Sequence, residues 1–368
     1  MTTEPVARTL RWRPFRLPMR TRFETASGAL EDRRGVLIEL IAADGRRGVG
    51  EASPLADTGP VSVDGVLALL DLHGPVLLRA GAGGSLGECP APAALRCALD
   101  VALLDLEGRR RGVPIAGLLA EQHAPWVAAN AIIGGGPPEE VARHGLEALA
   151  AGYSMLKLKV GISSLEEDVQ RVAALRAACP EATIRVDANC AWDEETAKQA
   201  IVDLYPHRIE LLEQPVAAGD VAALARVRQY ASTRIAADEA LADPAHAEQV
   251  LRLRAADLLV LKPMVVGGLR PALTLAHRAA AVGIGAFVTT TYDSSIGIAA
   301  SLHLAAAVPF DAAHGLGTGE HLAADVTHRT LLPRAGRLAL PLGPGLGVDY
   351  DDAALDAVAM APWREVRA

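Results

Sequence analysis

Five short apolar runs, each with charged residues near its carboxyl end, constrain this chain most. The runs cover residues 155–160, 183–189, 209–215, 234–239 and 258–263, and helix-like stretches separate them. Apolar runs of this length are typical of parallel strands buried on both faces, where a charge is unfavourable unless it has a partner or a function. Parallel strands that wrap into a barrel bring their carboxyl ends to one mouth. We therefore expect one pocket to collect the following side chains: Lys157, Lys159, Asp187, Glu213, Asp238 and Lys262.

The same alternation of strand and helix extends on both sides of these runs. A strand is predicted at 126–133 and a helix at 138–150, and two more strands are predicted at 285–291 and 313–318. Ser164 and Glu167 have the spacing of a capping box at a helix start. The fold class is therefore α/β, a modified TIM barrel of the (β/α)7β type over residues 125–334, with its last helix missing or reduced.

The chain before residue 125 has a different rhythm. Alternating segments over 7–50 predict an antiparallel meander, and three-and-four spacing over 61–120 predicts helices. Strands followed by helices indicate an α+β domain over 1–124. The tail, 335–368, is expected to return onto this domain. Residues 50–55 between its two parts form either a tight turn or a substrate contact, and the pattern leaves both open.

Composition excludes several classes of function. The net charge of −8 carries no block of like charge, so nucleic acid is not an expected partner. The N-terminus lacks a signal peptide pattern and no stretch of 18 apolar residues lacks a charge or a helix breaker, so a soluble, cytoplasmic protein is expected. The four cysteines lack zinc-site spacing and are expected to be free thiols: Cys89, Cys97, Cys179 and Cys190.

The three late-strand carboxylates indicate a metal site. Asp187, Glu213 and Asp238 end different strands with no His or Cys beside them, and such oxygen ligands suit Mg²⁺, or alternatively Mn²⁺, rather than zinc. The competing interpretation is that each acid forms a structural ion pair with a neighbouring Lys or Arg. Three such acids on successive strands favour the metal.

The lysines indicate acid–base chemistry. Lys157 and Lys159 lie two residues apart and face the same side of a strand, so near a divalent cation each is expected to lower the pKa of the other. Lys262 comes from the sixth strand, across the barrel from the second. This arrangement suits removal of the proton α to a carboxylate held by the metal. A Schiff base on Lys262 is the alternative role.

In their order, these motifs resemble the muconate-lactonizing-enzyme subgroup of the enolase superfamily over nearly the whole chain. Lys157-Leu-Lys159 resembles the KxK motif, and 185–189, 213–215, 238–239 and 262–263 resemble the metal-ligand and lysine motifs that follow it. The resemblance implies that Asn189 and Glu239 support the metal site, and that the first domain caps the barrel mouth with loops near 20–25 and 51–57. Arg22 and Thr25 are then expected to contact substrate.

Within this subgroup the sequence most resembles o-succinylbenzoate synthase. The segment 314–318 resembles a His-Gly-Leu-x-Thr run of some of these enzymes, and 291–297 resembles their strand-seven segment, with Asp293 in place of Glu. The Asp-x-Asp motif of dipeptide epimerases is absent after strand eight. The expected substrate-binding residues are Asp293, Ser294, Ser295, His314, Gly315 and Leu316, with backbone amides near Gly297 joining the serines around a second substrate carboxylate.

The resemblance implies syn-dehydration of 2-succinyl-6-hydroxy-2,4-cyclohexadiene-1-carboxylate in menaquinone biosynthesis. Lys159 would act as base and acid, and Lys157 would lower the pKa of Lys159. Lys262 would stabilise the ene-diolate by its charge. The alternatives are a dipeptide epimerase or N-acylamino acid racemase with Lys159 and Lys262 as opposed bases, and a muconate-type cycloisomerase. A binding protein with an idle barrel is the alternative from another class. In each case the partner is a small carboxylate, no membrane is involved, and a homo-oligomer is left open.

Overall fold

The protein is described here by a computed structural model that covers residues 7–25, 28–55, 61–82, 91–309 and 312–368. The side chains of residues 22–29 and 80–82 are not described. The predicted substrate contacts Arg22 and Thr25, and the predicted free thiol of Cys89, therefore lie outside this description.

The N-terminal region is an antiparallel sheet covered by helices, as the sequence predicts. Its strands β1, β2 and β3 pair in chain order, so they form a meander. Helix α2 packs across β3, where the backbone of Gly48 and Gly50 lies so close to α2 that a Cβ at either glycine would meet a helix carbonyl oxygen. The elements are β1 (Thr9–Thr25), β2 (Gly28–Ile41), β3 (Arg47–Ala52), α1 (Val63–Ala82), α2 (Ala93–Arg111) and α3 (Ile115–Leu119).

The central region is a parallel sheet in which each strand pairs with the next one along the chain, as in a barrel. Its strands are β5 to β11, and each is buried on both faces. The strands are β4 (Trp126–Ala128), β5 (Ala131–Ile133), β6 (Met155–Lys159), β7 (Thr183–Asp187), β8 (Leu211–Glu213), β9 (Arg234–Ala237), β10 (Leu258–Leu261) and β11 (Gly285–Val288). The helices between and after them are α4 (Pro138–Ala150), α5 (Leu165–Ala178), α6 (Glu194–Leu204), α7 (Val221–Tyr230), α8 (Pro244–Leu253), α9 (Pro263–Val266), α10 (Leu269–Ala281) and α11 (Ser295–Ala307).

Residues 314–315 close the barrel in place of an extended eighth strand. The His314 N–H donates to the Ala128 carbonyl at 2.8 Å, and the Gly315 N–H donates to the Val288 carbonyl at 2.9 Å. Residues 129 and 289 form the matching parallel bridges. The architecture is therefore the modified (β/α)7β barrel that the sequence predicts, with a last strand reduced to single bridges.

The predicted first barrel strand, 126–133, is wrong in one respect, because it divides in two. Only β5 pairs with the barrel strand β6, whereas β4 pairs antiparallel with β12 (Arg337–Ala339) from the tail. The closing bridge to residue 314 lies at the junction between them. One continuous apolar run thus serves two sheets, and its alternation pattern does not reveal the division.

The tail returns to the N-terminal sheet. After α12 (Asp352–Val358), strand β13 (Arg364–Arg367) pairs antiparallel with the outer edge of β1. The division of the chain into domains at residues 124 and 334 stays a prediction. In the part of the chain described, no helix is long and apolar enough to cross a membrane.

Local sequence signals position the helices that carry the loops of the site. The capping box at α5 is confirmed, because Ser164 Oγ accepts the Glu167 N–H at 3.3 Å and Glu167 Oε2 accepts the Ser164 N–H at 3.1 Å. Helix α4 begins at Pro138, with Glu139 and Glu140 in its first turn, as predicted.

Candidate active site

The strand register brings the predicted metal ligands together at one end of the barrel. Asp187 ends β7 and Glu213 ends β8, and the two residues are paired neighbours in the sheet. Asp238 and Lys262 each follow the last residue of a strand, β9 and β10. The three acids are buried, each with an exposed fraction of 3% or less. Three carboxylates without solvent must be neutralised by cations nearby.

The three predicted lysines supply that neutralisation. Lys157 Nζ donates to Glu213 Oε1 at 2.7 Å and lies 2.9 Å from Asp187 Oδ2. Lys159 Nζ donates to the same Asp187 oxygen at 2.7 Å, and Lys262 Nζ donates to Asp238 Oδ2 at 2.5 Å. One ammonium group therefore bridges two carboxylates, and one carboxylate oxygen is shared by two ammonium groups.

Asn189 and Glu239 lie beside the acids, where the resemblance implies them. Asn189 Oδ1 accepts from Lys159 at 2.7 Å, and Asn189 Nδ2 donates to Glu239 Oε1 at 2.9 Å. Asn189 has φ 42°, a left-handed conformation that Asn tolerates better than most residues. The chain thus turns sharply just after β7 and points this amide back at the lysine.

Gln214 is a supporting residue that the sequence interpretation missed. Its fully buried Oε1 accepts the Asp238 N–H at 2.9 Å and the Ala240 N–H at 3.3 Å, and its Nε2 donates to the Val216 carbonyl at 2.9 Å. It therefore fixes the backbone that carries Asp238. In the sequence, Gln214 directly follows the predicted ligand Glu213 at the end of an apolar run, and this polar residue could have indicated a supporting role.

The donor set fits a divalent cation in its chemistry. All three acids offer oxygen ligands, and Glu213 Oε2 is buried with no hydrogen-bond partner in the described part of the chain. In the present arrangement, no group of three or more described His, Cys, Asp or Glu side chains is placed to hold a metal ion. The ammonium groups lie among the carboxylates, so the lysines must give way for an ion to reach all three.

Protein charges alone raise the pKa values of Lys157 and Lys262 above their ordinary range. Burial by itself would lower the pKa of Lys157, but the carboxylates of Asp187, Glu213 and Asp238 outweigh burial and raise it. Lys262 behaves in the same way next to Asp238 and Glu239, which raise its pKa. The lower pKa that the sequence predicts was expected for two lysines beside a divalent cation. The carboxylates alone raise the pKa of Lys157 instead.

The charged cluster opens into a cavity of about 60 Å³. Lys157, Lys159 and Lys262 all line it, and hydroxyl and apolar side chains complete its wall. The other lining residues are Leu55, Ile132, Asn189, Glu239, Thr289, Thr290, Thr291, Tyr292 and Thr318. Leu55 belongs to the loop that the sequence left open between turn and substrate contact, and it lies in the wall. The run of three threonines after β11 was an unused signal for the hydroxyl side of this wall.

The predicted serine site for a second substrate carboxylate holds carboxylates of the protein instead. The Ser294 N–H donates to Glu51 Oε1 and the Gly297 N–H to Glu51 Oε2, both at 3.1 Å. The Ser295 N–H donates to Asp325 Oδ1 at 3.1 Å. The N–H groups at this helix start bind carboxylates, since helix N-termini attract anions, and the binding of a substrate carboxylate here stays a prediction. The ligand in the described structure is internal, so the structure does not bring Ser294 or Ser295 to the cavity.

Asp293 is buried beneath the same turn. Its Oδ1 accepts from Thr291 Oγ1 at 2.6 Å, and the Asp293 side chain lines a separate small cavity with Glu51 rather than the lysine cavity. The shorter side chain relative to Glu therefore serves the turn that joins β11 to α11.

His314, Gly315 and Leu316 serve barrel closure in this structure. His314 is 2% exposed, and its Nδ1 accepts the Val288 N–H at 3.0 Å. Burial and the nearby Arg185 guanidinium lower the pKa of His314 to about 3. The Gly315 carbonyl accepts from Thr289 Oγ1 at 2.9 Å, and Leu316 is fully buried. None of these three lines the lysine cavity, whereas Thr318 from the same run does.

Comparisons with known proteins agree with this geometry. Residues 140–354 match the family described as enolase C-terminal domain-like, and residues 7–120 match the mandelate racemase / muconate lactonizing enzyme N-terminal domain. The chain is 30% identical to a hydrophobic dipeptide epimerase from Enterococcus faecalis, over 92% of this chain and 98% of that protein. It is 29% identical to chloromuconate cycloisomerase CbnB from Cupriavidus necator, over 95% and 97%.

A solved structure extends the likeness to three dimensions. The dipeptide epimerase from Enterococcus faecalis V583, complexed with Mg and the dipeptide L-Leu-L-Tyr, superimposes with a TM-score of 0.87 at 28% identity, over 94% of this chain and 99% of that one. The named relatives are isomerases, and none is an o-succinylbenzoate synthase. Fold, strand-end chemistry and family match together identify this chain as an enzyme of the enolase superfamily, with N- and C-terminal domains of the mandelate racemase / muconate lactonizing enzyme type.

Proposed function

We propose that this protein is a Mg²⁺-dependent epimerase that inverts the stereocentre α to a carboxylate in dipeptides or N-acylated amino acids. The observation that carries this proposal is the pair Lys159 and Lys262, which line one cavity from opposite sides of the barrel. Lys159 ends the second barrel strand and Lys262 follows the sixth, half a turn of an eight-stranded barrel away. A stereocentre between two amines can lose a proton to one and regain it from the other.

The metal would be held by Asp187, Glu213 and Asp238. Bound there, Mg²⁺ would supply a Lewis acid that stabilises the negative charge developing on the substrate carboxylate. The orphaned Glu213 Oε2 and the oxygen-only donor set support this assignment. Asn189 and Glu239 would orient Lys159, and Gln214 would hold the backbone of Asp238.

Each amine then has a defined task. The amine on one face of the substrate takes the α-proton, and the ammonium on the other face donates a proton at the same carbon. Lys157 lies between Asp187 and Glu213 and supplies positive charge near the bound carboxylate. Because Lys159 and Lys262 both line the cavity, the proton that is delivered would come from a lysine.

The relatives favour an isomerase over the dehydratase that the sequence suggested. The His314–Thr318 run carried the resemblance to o-succinylbenzoate synthase, yet His314, Gly315 and Leu316 close the barrel in this structure. This run thus has a structural explanation that does not depend on the substrate. The match to a dipeptide epimerase over nearly the whole chain supports the first proposal.

A cycloisomerase is the second candidate, because a chloromuconate cycloisomerase matches the chain at almost the same identity. Such a reaction needs a single acid–base lysine together with the metal-stabilised carboxylate. The two candidates therefore differ in whether both Lys159 and Lys262 transfer protons.

The deciding experiment is proton exchange in D₂O with purified protein and Mg²⁺. A panel of L,L-dipeptides, N-acylamino acids, muconate and 2-succinyl-6-hydroxy-2,4-cyclohexadiene-1-carboxylate is followed by NMR, with chelated enzyme as a blank. An epimerase washes deuterium into the α-position of a dipeptide or N-acylamino acid and yields both epimers. Lactone formation from muconate without such exchange would establish the cycloisomerase instead, and aromatisation of the cyclohexadiene would establish the dehydratase.

Single lysine variants test the two-base geometry. Lys159→Ala and Lys262→Ala should each abolish epimerisation, while each retains α-proton exchange from only one of the two epimers. Lys198→Ala is the matched control, because Lys198 lies on the outer helix α6, paired with Glu194 and Glu195. Loss of exchange from both epimers in only one variant would contradict the proposed pair of bases.

A further inference from the structure

The N-terminal region reaches into the barrel through one buried carboxylate. Glu51 ends near the start of α11, where its two oxygens accept the N–H groups of Ser294 and Gly297, each at 3.1 Å. The hydroxyl of Ser294 donates to Oε2, and Ser53 Oγ donates to Oε1 at 2.6 Å. A side chain from β3 therefore caps a barrel helix, with four donors on one carboxylate.

Arg33 makes a second connection from the same side. It is 4% exposed, and it donates through Nη2 to the Ser53 carbonyl at 2.5 Å and through Nη1 to the Pro54 carbonyl at 3.3 Å. Its Nε donates to the Tyr292 carbonyl at 3.3 Å. One guanidinium thus ties the loop that carries Leu55 to the turn that carries Tyr292, and both of these residues line the lysine cavity.

Tyr292 lies in a backbone conformation that needs support. Its φ of 61° is in the left-handed region, which is unfavourable for a bulky aromatic residue and persists only where surrounding contacts hold it. Its ring meets the His321 ring edge to face at 5.7 Å between centroids. The turn is bounded by the Thr291–Asp293 hydrogen bond on one side and by the Glu51 cap on the other.

We propose that Glu51 and Arg33 are positioning residues that hold Tyr292 in its left-handed conformation, so that the N-terminal region determines where this wall of the substrate cavity stands. The inference deepens the proposed function, and it rests on that function only in the choice of substrate for the kinetic assay. Tyr292 lines the lysine cavity, whereas neither Glu51 nor Arg33 does, so these two residues would act on the substrate only through Tyr292.

Replacing the carboxylate by an amide isolates this role. In Glu51→Gln the side chain keeps its size, but the amide has one accepting oxygen where the carboxylate has two. The N–H groups of Ser294 and Gly297 bind different oxygens of Glu51, so one of them must lose its partner. The cap should loosen at the end of the turn that carries Tyr292.

The matched control is Asp325→Asn. Asp325 caps the same helix through the Ser295 N–H and hydroxyl, but it comes from the segment after the barrel closure rather than from the N-terminal region. It removes the same charge at the same helix end without touching Glu51, Arg33 or Tyr292. A general effect of weakening α11 would therefore affect both variants alike.

The first measurement is hydrogen–deuterium exchange of the free protein, which needs no substrate. In Glu51→Gln, exchange over 291–297 should rise at least tenfold while the rest of the barrel is unchanged, and with the best dipeptide KM should rise about tenfold with kcat within threefold. In Asp325→Asn, KM should stay at the wild-type value. If Glu51→Gln does not fold, Arg33→Lys provides the test, because a lysine cannot reach the three carbonyls together and should raise KM in the same way.

Three results would overturn the inference. They are unchanged exchange over 291–297, a loosened segment with unchanged KM, and an equal rise in KM for Asp325→Asn. Failure of the proposed function is recognised separately, since wild-type protein would then lack turnover while the exchange experiment still reports whether Glu51 holds the turn.

Discussion

The two ends of the barrel both contain buried charge, but they neutralise it differently. Arg185 and Asp187 lie two residues apart on β7, so both point into the barrel, and both have an exposed fraction of 0%. Arg185 faces the base, where it donates to Glu210 at 2.6 Å and to the Ala313 carbonyl at 2.8 Å, with its guanidinium 4.7 Å from the Phe287 ring centre. Asp187 faces the mouth and shares one oxygen between two lysines.

The two ends differ in the contacts that the protein provides for each buried charge. At the base, Arg185 contacts an acid, a backbone carbonyl and an aromatic ring, and the carbonyl belongs to the segment that closes the barrel. The acid, Glu210, also pairs with Arg234. At the mouth, a single Asp187 oxygen is shared by two lysines, and Glu213 Oε2 has no hydrogen-bond partner among the described residues. A charge held by several surrounding protein groups, such as Arg185, stabilises the fold. A carboxylate oxygen without a partner, such as Glu213 Oε2, is available to a ligand or a proton. Equal burial therefore does not imply an equal role.

Removing a mouth amine should produce the largest effect. Lys159→Ala is expected to lower kcat at least about 10³-fold, within the range for loss of an acid–base group. Its unfolding temperature should stay within a few degrees of wild type, because Asp187 keeps Lys157 as a partner. Activity and thermal unfolding measured on one preparation check this. A large fall in stability would erase the distinction between the two ends.

Removing Arg185, the cation at the end of the barrel opposite the mouth, should lower stability and leave turnover almost unchanged. Arg185→Met frees the buried Ala313 carbonyl and leaves Glu210 with the more exposed Arg234 as its partner, so the free energy of unfolding should fall by about 1–3 kcal/mol. Turnover per folded molecule should change less than threefold. Denaturant unfolding and active-site-normalised rates measure the two quantities. A loss of turnover as large as that of Lys159→Ala would show that the end of the barrel opposite the mouth takes part in the reaction.

Mg²⁺ should stabilise the mouth alone. At about 100 times its dissociation constant the ion should add about 2.7 kcal/mol to the free energy of unfolding, because it binds the folded protein only. The increase should persist in Arg185→Met and vanish in Asp187→Asn. Thermal unfolding with and without Mg²⁺ reports it, and an increase that survives in Asp187→Asn would place the ion elsewhere.

The last expected effect concerns the pH dependence of stability that Glu51 introduces between the two regions. Burial and the Asp293 carboxylate raise the pKa of Glu51 from 4.5 to about 7, against the hydrogen bonds from Ser294 and Ser53, with Arg33 and Cys97 also nearby. The folded protein then binds more protons than the unfolded chain between these values, so its stability should fall as pH rises from 4.5 to 7. Glu51→Gln removes this titration, so its loss of stability over the interval should be smaller than that of wild type by up to about 3 kcal/mol. Parallel slopes for the two proteins would refute the assignment.

The sequence predicted the barrel and the strand-end charges because both depend on local pattern. A charge late in an apolar run identifies the mouth once the strands are known to be parallel, and register then places Asp187 beside Glu213. It could not predict that Glu51 would occupy the anion site at the start of α11, because that contact joins residues 243 positions apart. Nor could it separate His314 from the substrate wall, since a short motif does not show which end of the barrel a side chain faces.

The sequence pattern also does not determine which substrate the enzyme uses. The same carboxylates and lysines suit epimerisation, cycloisomerisation and dehydration, because each makes or breaks a C–H bond at the carbon beside a carboxylate. Among the described residues, one wall of the cavity comes from Thr289 to Tyr292 and from Leu55. Its shape depends on contacts between distant segments rather than on local sequence.

The distribution of lysine has a consequence for the study of this enzyme. The chain has 36 Lys and Arg residues but only four lysines, Lys157, Lys159, Lys198 and Lys262, and three of them line the cavity. Arginine stays protonated in proteins, so almost all other cationic side chains are spectators in proton transfer. A sample with ¹⁵N in the lysine side chains should therefore give four resonances, with Lys198 as an internal reference on the surface. The protonation of each amine in the cavity can then be followed by NMR as metal and substrate bind.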